Sequence, residues 1–138
     1  MTHVSAIVFG VIICCGCSPA ANDNQVAEET VVVAQRNGFD YVATLTKAKA
    51  GDAAAVRTLI DFSDHVDAAA ALGHGVELVD LAVVLTDQRF AAVVRDEPEL
   101  RRQRVARLFE AGFAYHRQYS DDDFAKVLPS TYAALNAR

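Results

Sequence analysis

Residues 76–85 read Val-Glu-Leu-Val-Asp-Leu-Ala-Val-Val-Leu, with Glu77 and Asp80 the only polar side chains in the run. A helix on the surface of a domain is apolar along one stripe; one that is apolar around most of its circumference lies inside. This run therefore predicts a central, mostly buried helix, and the rest of the chain has to supply the elements that cover it. Hydrophobic residues make up 52% of the 138, enough for a core and too many for a disordered chain. Much of that share is alanine, which favours helix and buries little area, so closely packed helices with a modest core are expected. No alternation of apolar and polar residues is long enough to mark a sheet.

The flanking sequence divides into short helical pieces. Asn24 is placed to cap a helix through Gln25-Val26-Ala27-Glu28-Glu29, with two carboxylates in its first turn. The β-branched run Thr30-Val31-Val32-Val33 suits either a strand or, with no partner strand in sight, a continuation of that helix up to Asn37-Gly38. Phe39, Val42, Leu45 and the stem of Lys49 share one face of a helix from about 39 to 50. Gly51-Asp52 then serves as stop and restart, and Val56, Leu59, Ile60 and Phe62 line the next helix to about His65. Asp67 caps a third helix, which Gly73-His74-Gly75 interrupts or loosens before the apolar run. Asp87 caps a helix carrying Phe90, Val93 and Val94. Pro98 fits the first position of a helix with a Val105, Leu108, Phe109 and Phe113 stripe. Asp121-Asp122-Asp123 opens one with Phe124, Val127 and Leu128, and Pro129 opens the last, with Tyr132 and Leu135. The expected fold is all-α: a compact bundle or a short solenoid-like stack of about six or seven short helices. No repeat period is clear enough to define an array.

The N-terminus has a different character. Residues 4–13 are about ten largely apolar residues, the size of the hydrophobic region of an export signal and half of what spans a bilayer. Polar Ser18-Pro19 and Asn22-Asp23-Asn24 follow, and Cys14, Cys15 and Cys17 are the chain's three cysteines, all upstream of the domain. Ile13-Cys14-Cys15-Gly16-Cys17 resembles the lipobox of bacterial lipoprotein precursors, in which a small residue and Gly or Ala precede the cysteine that is acylated. Cys14 departs from the usual Leu, and Met1-Thr2-His3 lacks the usual positive charge. The resemblance implies a signal peptide at 1–16 and lipidation of Cys17; the polar stretch makes 17–24 a flexible tether, and the helical patterning makes 25–138 a single helical domain. It also implies a lipid-anchored, periplasm-facing location in the cell envelope, where Ser18 after the lipidated cysteine favours the outer membrane. The alternatives are an uncleaved apolar N-terminus or ordinary secretion.

The net charge of -5 falls wholly downstream of Cys17 and disfavours nucleic acid as a partner. Chemistry-bearing residues are few. Asp61, His65, His74 and Glu77 have donor types that suit a divalent ion, but no established ligand spacing. Solvation and helix capping account for the acids equally well, with His74 in a surface turn, and the two glycines around it suit close helix packing better than a binding groove. Arg101, Arg102, Arg104 and Arg107, extended by Arg89 and Arg95, form a basic run that either grips an acidic partner or lipid head groups, or pairs locally with Glu97, Glu99 and Glu110. Tyr115 and Tyr119, with Phe113, His116 and Tyr132, either present an aromatic recognition patch or close the end of the helical stack. Ser63, Ser120 and Ser130 sit in no nucleophile motif, and no glycine-rich phosphate loop is present. No cofactor and no catalytic residue is expected. The preferred reading is a non-enzymatic envelope lipoprotein whose domain binds another protein, as an adaptor, assembly helper or immunity-type inhibitor. The alternative is a small-ligand or metal-binding module, perhaps hydrolytic, built on His65 and His74.

Overall fold

A computed structural model describes residues 27–137, which form eight helices and, among the described residues, no strand. The helices are α1 (Glu28–Arg36), α2 (Tyr41–Lys49), α3 (Ala53–Phe62), α4 (Ala68–Leu85), α5 (Asp87–Arg95), α6 (Glu99–Tyr115), α7 (Phe124–Val127) and α8 (Pro129–Leu135). The lipobox-like cysteines, the tether and the Asn24 cap lie outside the described residues. The β-branched run 30–33 is helical, inside α1.

Helix α4 is the axis of the fold and packs on α1, α2, α5 and α6. It is long and apolar enough to cross a membrane by length and composition, but half of it is buried within the protein. Leu78, Val79, Leu81 and Ala82 are at most 1% exposed, as their unbroken apolar sequence requires. The prediction of burial overreaches at the C-terminal turn, where Val83 and Val84 face outward. Helix α6 runs alongside α4 in the same direction: Gly75 sits by Leu108 and Gly112, and Asp80 by His116. Helix α5 packs on α3 and α8 and closes the remaining side. Because α4 meets α6, and α5 meets α8, across intervening elements, the arrangement is a bundle around a central helix. A solenoid, whose repeats touch only their neighbours, has a different contact pattern.

The local signals explain most boundaries. Gly51 adopts φ +96°, a conformation that costs a side-chain-bearing residue, and Asp52 then accepts hydrogen bonds from the Ala54 and Ala55 N–H groups to start α3. Asp40 and Asp123 cap α2 and α7 in the same manner. Several expectations are corrected. Gly73-His74-Gly75 does not interrupt a helix; α4 runs straight through it. Asp67 stands at the N-cap of α4, but its side chain makes no capping hydrogen bond. Asp87 does not cap its own helix; its carboxylate accepts from the Ser130 and Thr131 N–H groups and so caps α8. Val42 is half exposed, and the inward face of α2 is Tyr41, Leu45 and Ala48. Pro98 stands one residue outside α6, at its N-cap. Between α4 and α5, Thr86 reverses the chain at φ 80°, a strained setting for a β-branched residue.

Candidate functional site

A buried helix that carries His74, Glu77 and Asp80 at successive spacings of three must find partners for them elsewhere, because an unpartnered buried polar group costs about 1–3 kcal/mol. Each finds one. His74 is fully buried, with Nδ1 2.7 Å from the Tyr41 hydroxyl and Nε2 3.1 Å from the Ser63 Oγ. Glu77 accepts from the Lys49 ammonium at 3.1 Å. Asp80 lies 3.0 Å from the His116 Nε2. A fourth polar tie, the Thr30 hydroxyl donating to the Ala70 carbonyl, holds α1 on the same helix.

Ser63, His74 and Tyr41 resemble a serine–histidine pair with its orienting third residue. The Tyr41 and Ser63 hydroxyls each lie within hydrogen-bond distance of one nitrogen of the imidazole, so the nitrogen that carries the proton donates and the other accepts. Burial holds His74 down at about 3, outweighing the raising effect of a hydrogen bond to the Leu59 backbone, so the ring stays neutral. Burial, aided by the charge of Glu77, pushes the Tyr41 phenol well above its ordinary range. Phe39, Tyr41 and Phe62 pack their rings around the imidazole or one another, with Phe62 edge-on to it at 5.3 Å. Ser63, His74 and Tyr41 are at most 2% exposed, so no substrate reaches them. The arrangement is a satisfied polar knot that fixes α2, α3 and α4 to one another.

Glu77 is held above the usual carboxylate range, chiefly by burial, with the Lys49 ammonium pulling the other way. Its partner is therefore already supplied from within the chain.

The four residues that suit a metal are not brought together. His74 is in the core rather than in a surface turn, and both ring nitrogens are engaged. His65 is exposed in the turn after α3, beyond the end of the helix that was to align it with Asp61. Glu77 pairs with Lys49, and Asp61 pairs with Arg101. Among the described residues no group of three or more His, Cys, Asp or Glu side chains converges.

Arg101 is a clamp between elements. Its guanidinium meets Asp61, Asp64 and Glu97, the last as the i,i+4 pair expected within one stretch of chain. Arg104 reaches Asp64 at 3.8 Å, and Arg102 donates to the Glu97 and Ala137 carbonyls. Glu99 receives Gln103 rather than Arg102. The basic run is thus largely spent on the chain's own acids and carbonyls. The aromatic group divides: Phe113 is buried, Tyr119 packs on Phe113 and His116, Tyr132 is partly exposed against Phe124, and Tyr115 stands 67% exposed. A shallow open depression between α1 and α2 is lined by Val31, Gln35, Phe39, Asp40 and Val42.

Sequence reasoning missed Tyr41 and the pairing of Ser63 with His74. The available signal was a histidine flanked by apolar residues on a buried helix; it demands partners without naming them. No known protein family matches the chain, and no characterised protein or solved structure is detectably similar to it.

Proposed function

We propose that this chain is a bacterial envelope lipoprotein, anchored through Cys17, whose helical domain recruits another protein. The observation that carries the reading is the order of features at the N-terminus: a short apolar run, Gly16-Cys17 within a lipobox-like pentapeptide, then a polar stretch. Two or three acyl chains on one cysteine make anchoring stable where a single chain does not. Ser18 supports an outer-membrane destination.

The recruiting surface is best sought at one end of the domain. Val83 and Val84 at the end of α4, and Tyr115 at the end of the parallel α6, are large apolar or aromatic side chains left exposed. Ala27, where the described chain begins, sits against Gly73. Val84 lies eleven residues further along α4, about 16 Å at the helical rise. Exposed tyrosine suits recognition, since it contributes apolar area and a hydroxyl with little loss of freedom. Arg101 and Arg104, engaged at the other end, are secondary candidates.

Mass spectrometry of the intact chain recovered from a bacterial membrane fraction tests the anchor. The expected result is loss of residues 1–16 and an acyl mass on Cys17, both abolished by Cys17→Ala. Recovery with Met1 attached and no acyl mass overturns it. A photoactivatable group at position 115 is expected to trap a partner, and the same group at exposed Gln103 is not; equal trapping at both positions rejects the recruiting surface.

A further inference from the structure

Between Gly75 and Pro98 the sequence holds no glycine or proline, so nothing local stops a helix there. The chain nevertheless bends, and does so at one residue. Thr86 alone joins α4 to α5, at φ 80° and ψ 143°, a backbone setting that glycine adopts far more cheaply. Holding a β-branched residue in it costs about tenfold or more in an equilibrium. No cap offsets that cost. The Thr86 side chain makes no capping hydrogen bond to α5, and the carboxylate of Asp87 is turned to the start of α8. With Thr86 helical, the Asp87, Gln88 and Arg89 N–H groups would meet the Val83, Val84 and Leu85 carbonyls, and α4 and α5 would be one helix. What keeps the bend closed is tertiary: α5 packs back on α3 and α4.

Thr86 also divides the polar ties of the domain. On its N-terminal side, Thr30 joins Ala70, Tyr41 and Ser63 join His74, and Lys49 joins Glu77. On its C-terminal side, Asp87 caps α8, and Arg102 binds the Glu97 and Ala137 carbonyls. Each segment is thus tied within itself. Across the divide stand the packing of α4 on α6 and of α5 on α3 and α4, the Asp80–His116 contact, the ion pairs of Arg101 and Arg104 with Asp61 and Asp64, and that of Arg57 with Asp96.

We infer that Thr86 is the hinge of an exchange between two copies of this chain. In the exchanged dimer residues 68–95 run on as one helix, and residues 87–137 of each copy pack on residues 27–85 of the other. Every contact across the divide is remade with the second copy, so none of them opposes the exchanged form once it is assembled. Both hinges give up their strain and gain helical hydrogen bonds. Short connections under strain favour such exchange, which yields a two-fold dimer without any new complementary face. The two segments have to part before they re-pair, so the dimer is reached by refolding at high concentration. The inference rests neither on the lipid anchor nor on the recruiting surface.

Size-exclusion chromatography with light scattering tests it on the full chain, unfolded and then refolded at about 10 µM and about 1 mM protein. The expected result is a dimer that grows with concentration and keeps the helical circular dichroism of the monomer. Thr86→Gly accepts the bend and weakens a continuous helix, so it is expected to lower the dimer association constant at least about tenfold. Thr86→Ala favours the helix and not the bend, and is expected to raise it severalfold. A side-by-side dimer has no reason to follow that order. Arg101→Glu refolded together with a chain carrying Asp61→Arg and Asp64→Arg is expected to give mainly the mixed dimer. Only exchange sets the natural acids against the natural Arg101 in one unit and the reversed charges against each other in the second. If either charge variant does not fold, the Thr86 pair decides alone. Monomer at both concentrations overturns the exchange, and so does a dimer whose constant is the same in Thr86→Gly and Thr86→Ala.

Discussion

His74 illustrates how much one side chain costs and returns in an alanine-rich core. Its ring sits where a leucine would pack, so it contributes volume, but its two nitrogens require Tyr41 and Ser63. The folded protein binds a proton at His74 only near pH 3, whereas an unfolded chain binds one near 6.5. The unfolded state thus holds more protons between those values, and stability rises with pH there. This contribution is fully present above about pH 6.5 and is lost progressively as pH falls toward 3. Glu77 works in the opposite sense: its raised carboxyl is less costly to the fold once protonated, so acid partly relieves it. Denaturant midpoints measured at intervals from pH 7 to 4 are expected to fall by an amount equivalent to a few kcal/mol, and His74→Gln, which cannot take a proton, is expected to flatten that slope. An unchanged slope in the variant refutes the assignment.

At the scale of elements, what brings α4 and α6 together is the absence of side chains at two points. A Cβ on Gly75 would collide with the Leu108 carbonyl oxygen, and one on Gly112 with the Gly75 carbonyl. Both obstacles are backbone, which does not turn aside as a flexible side chain does. Gly75→Ala is therefore expected to cost about 3 kcal/mol, despite alanine's better helix propensity, because the helices have to separate. Thermal unfolding checks this: a lower melting temperature supports the close crossing, and a higher one, the plain propensity outcome, rejects it. The same scale explains Asp87 and Arg101. Burial alone would raise the Asp87 carboxyl, but hydrogen bonds from the Ser130 and Thr131 N–H groups outweigh it and hold it below its ordinary range. Asp87 and Arg101 both join elements far apart in the chain, one by capping α8 and the other by gathering acids at the end of α3 and in the turn beyond it.

For the molecule as a whole, the cohesion is centripetal. Helix α4 carries the most apolar sequence and the polar ties: α1 attaches through Thr30 to Ala70, α2 through Tyr41 to His74 and Lys49 to Glu77, and the end of α6 through His116 to Asp80. A structure of this type has few independent parts. A chain beginning at Gln25 is expected to unfold in one cooperative transition, with helical circular dichroism and the fluorescence of buried Tyr41 lost together. Separated transitions would show that α1 or the α7–α8 end is a unit of its own.

Much of the fold was legible along the chain because short-range physics writes it there. Gly51-Asp52, Asp123 and Pro129 punctuate the helices through backbone conformation and capping, and the apolar run at 76–85 announces its own burial. Sequence alone therefore determined an all-helical class, most element boundaries and the central helix. Only the tertiary structure decided that Gly73-His74-Gly75 continues that helix, that Asp87 serves a distant N-terminus, that Arg101 and Arg104 are turned inward on the chain's own acids, and that Tyr41 and Ser63 are the partners of His74. The reason is common to all four. A cap or a turn is read from neighbours a few residues away, whereas the partner of a buried polar group is set by where separate helices come to rest, tens of residues apart.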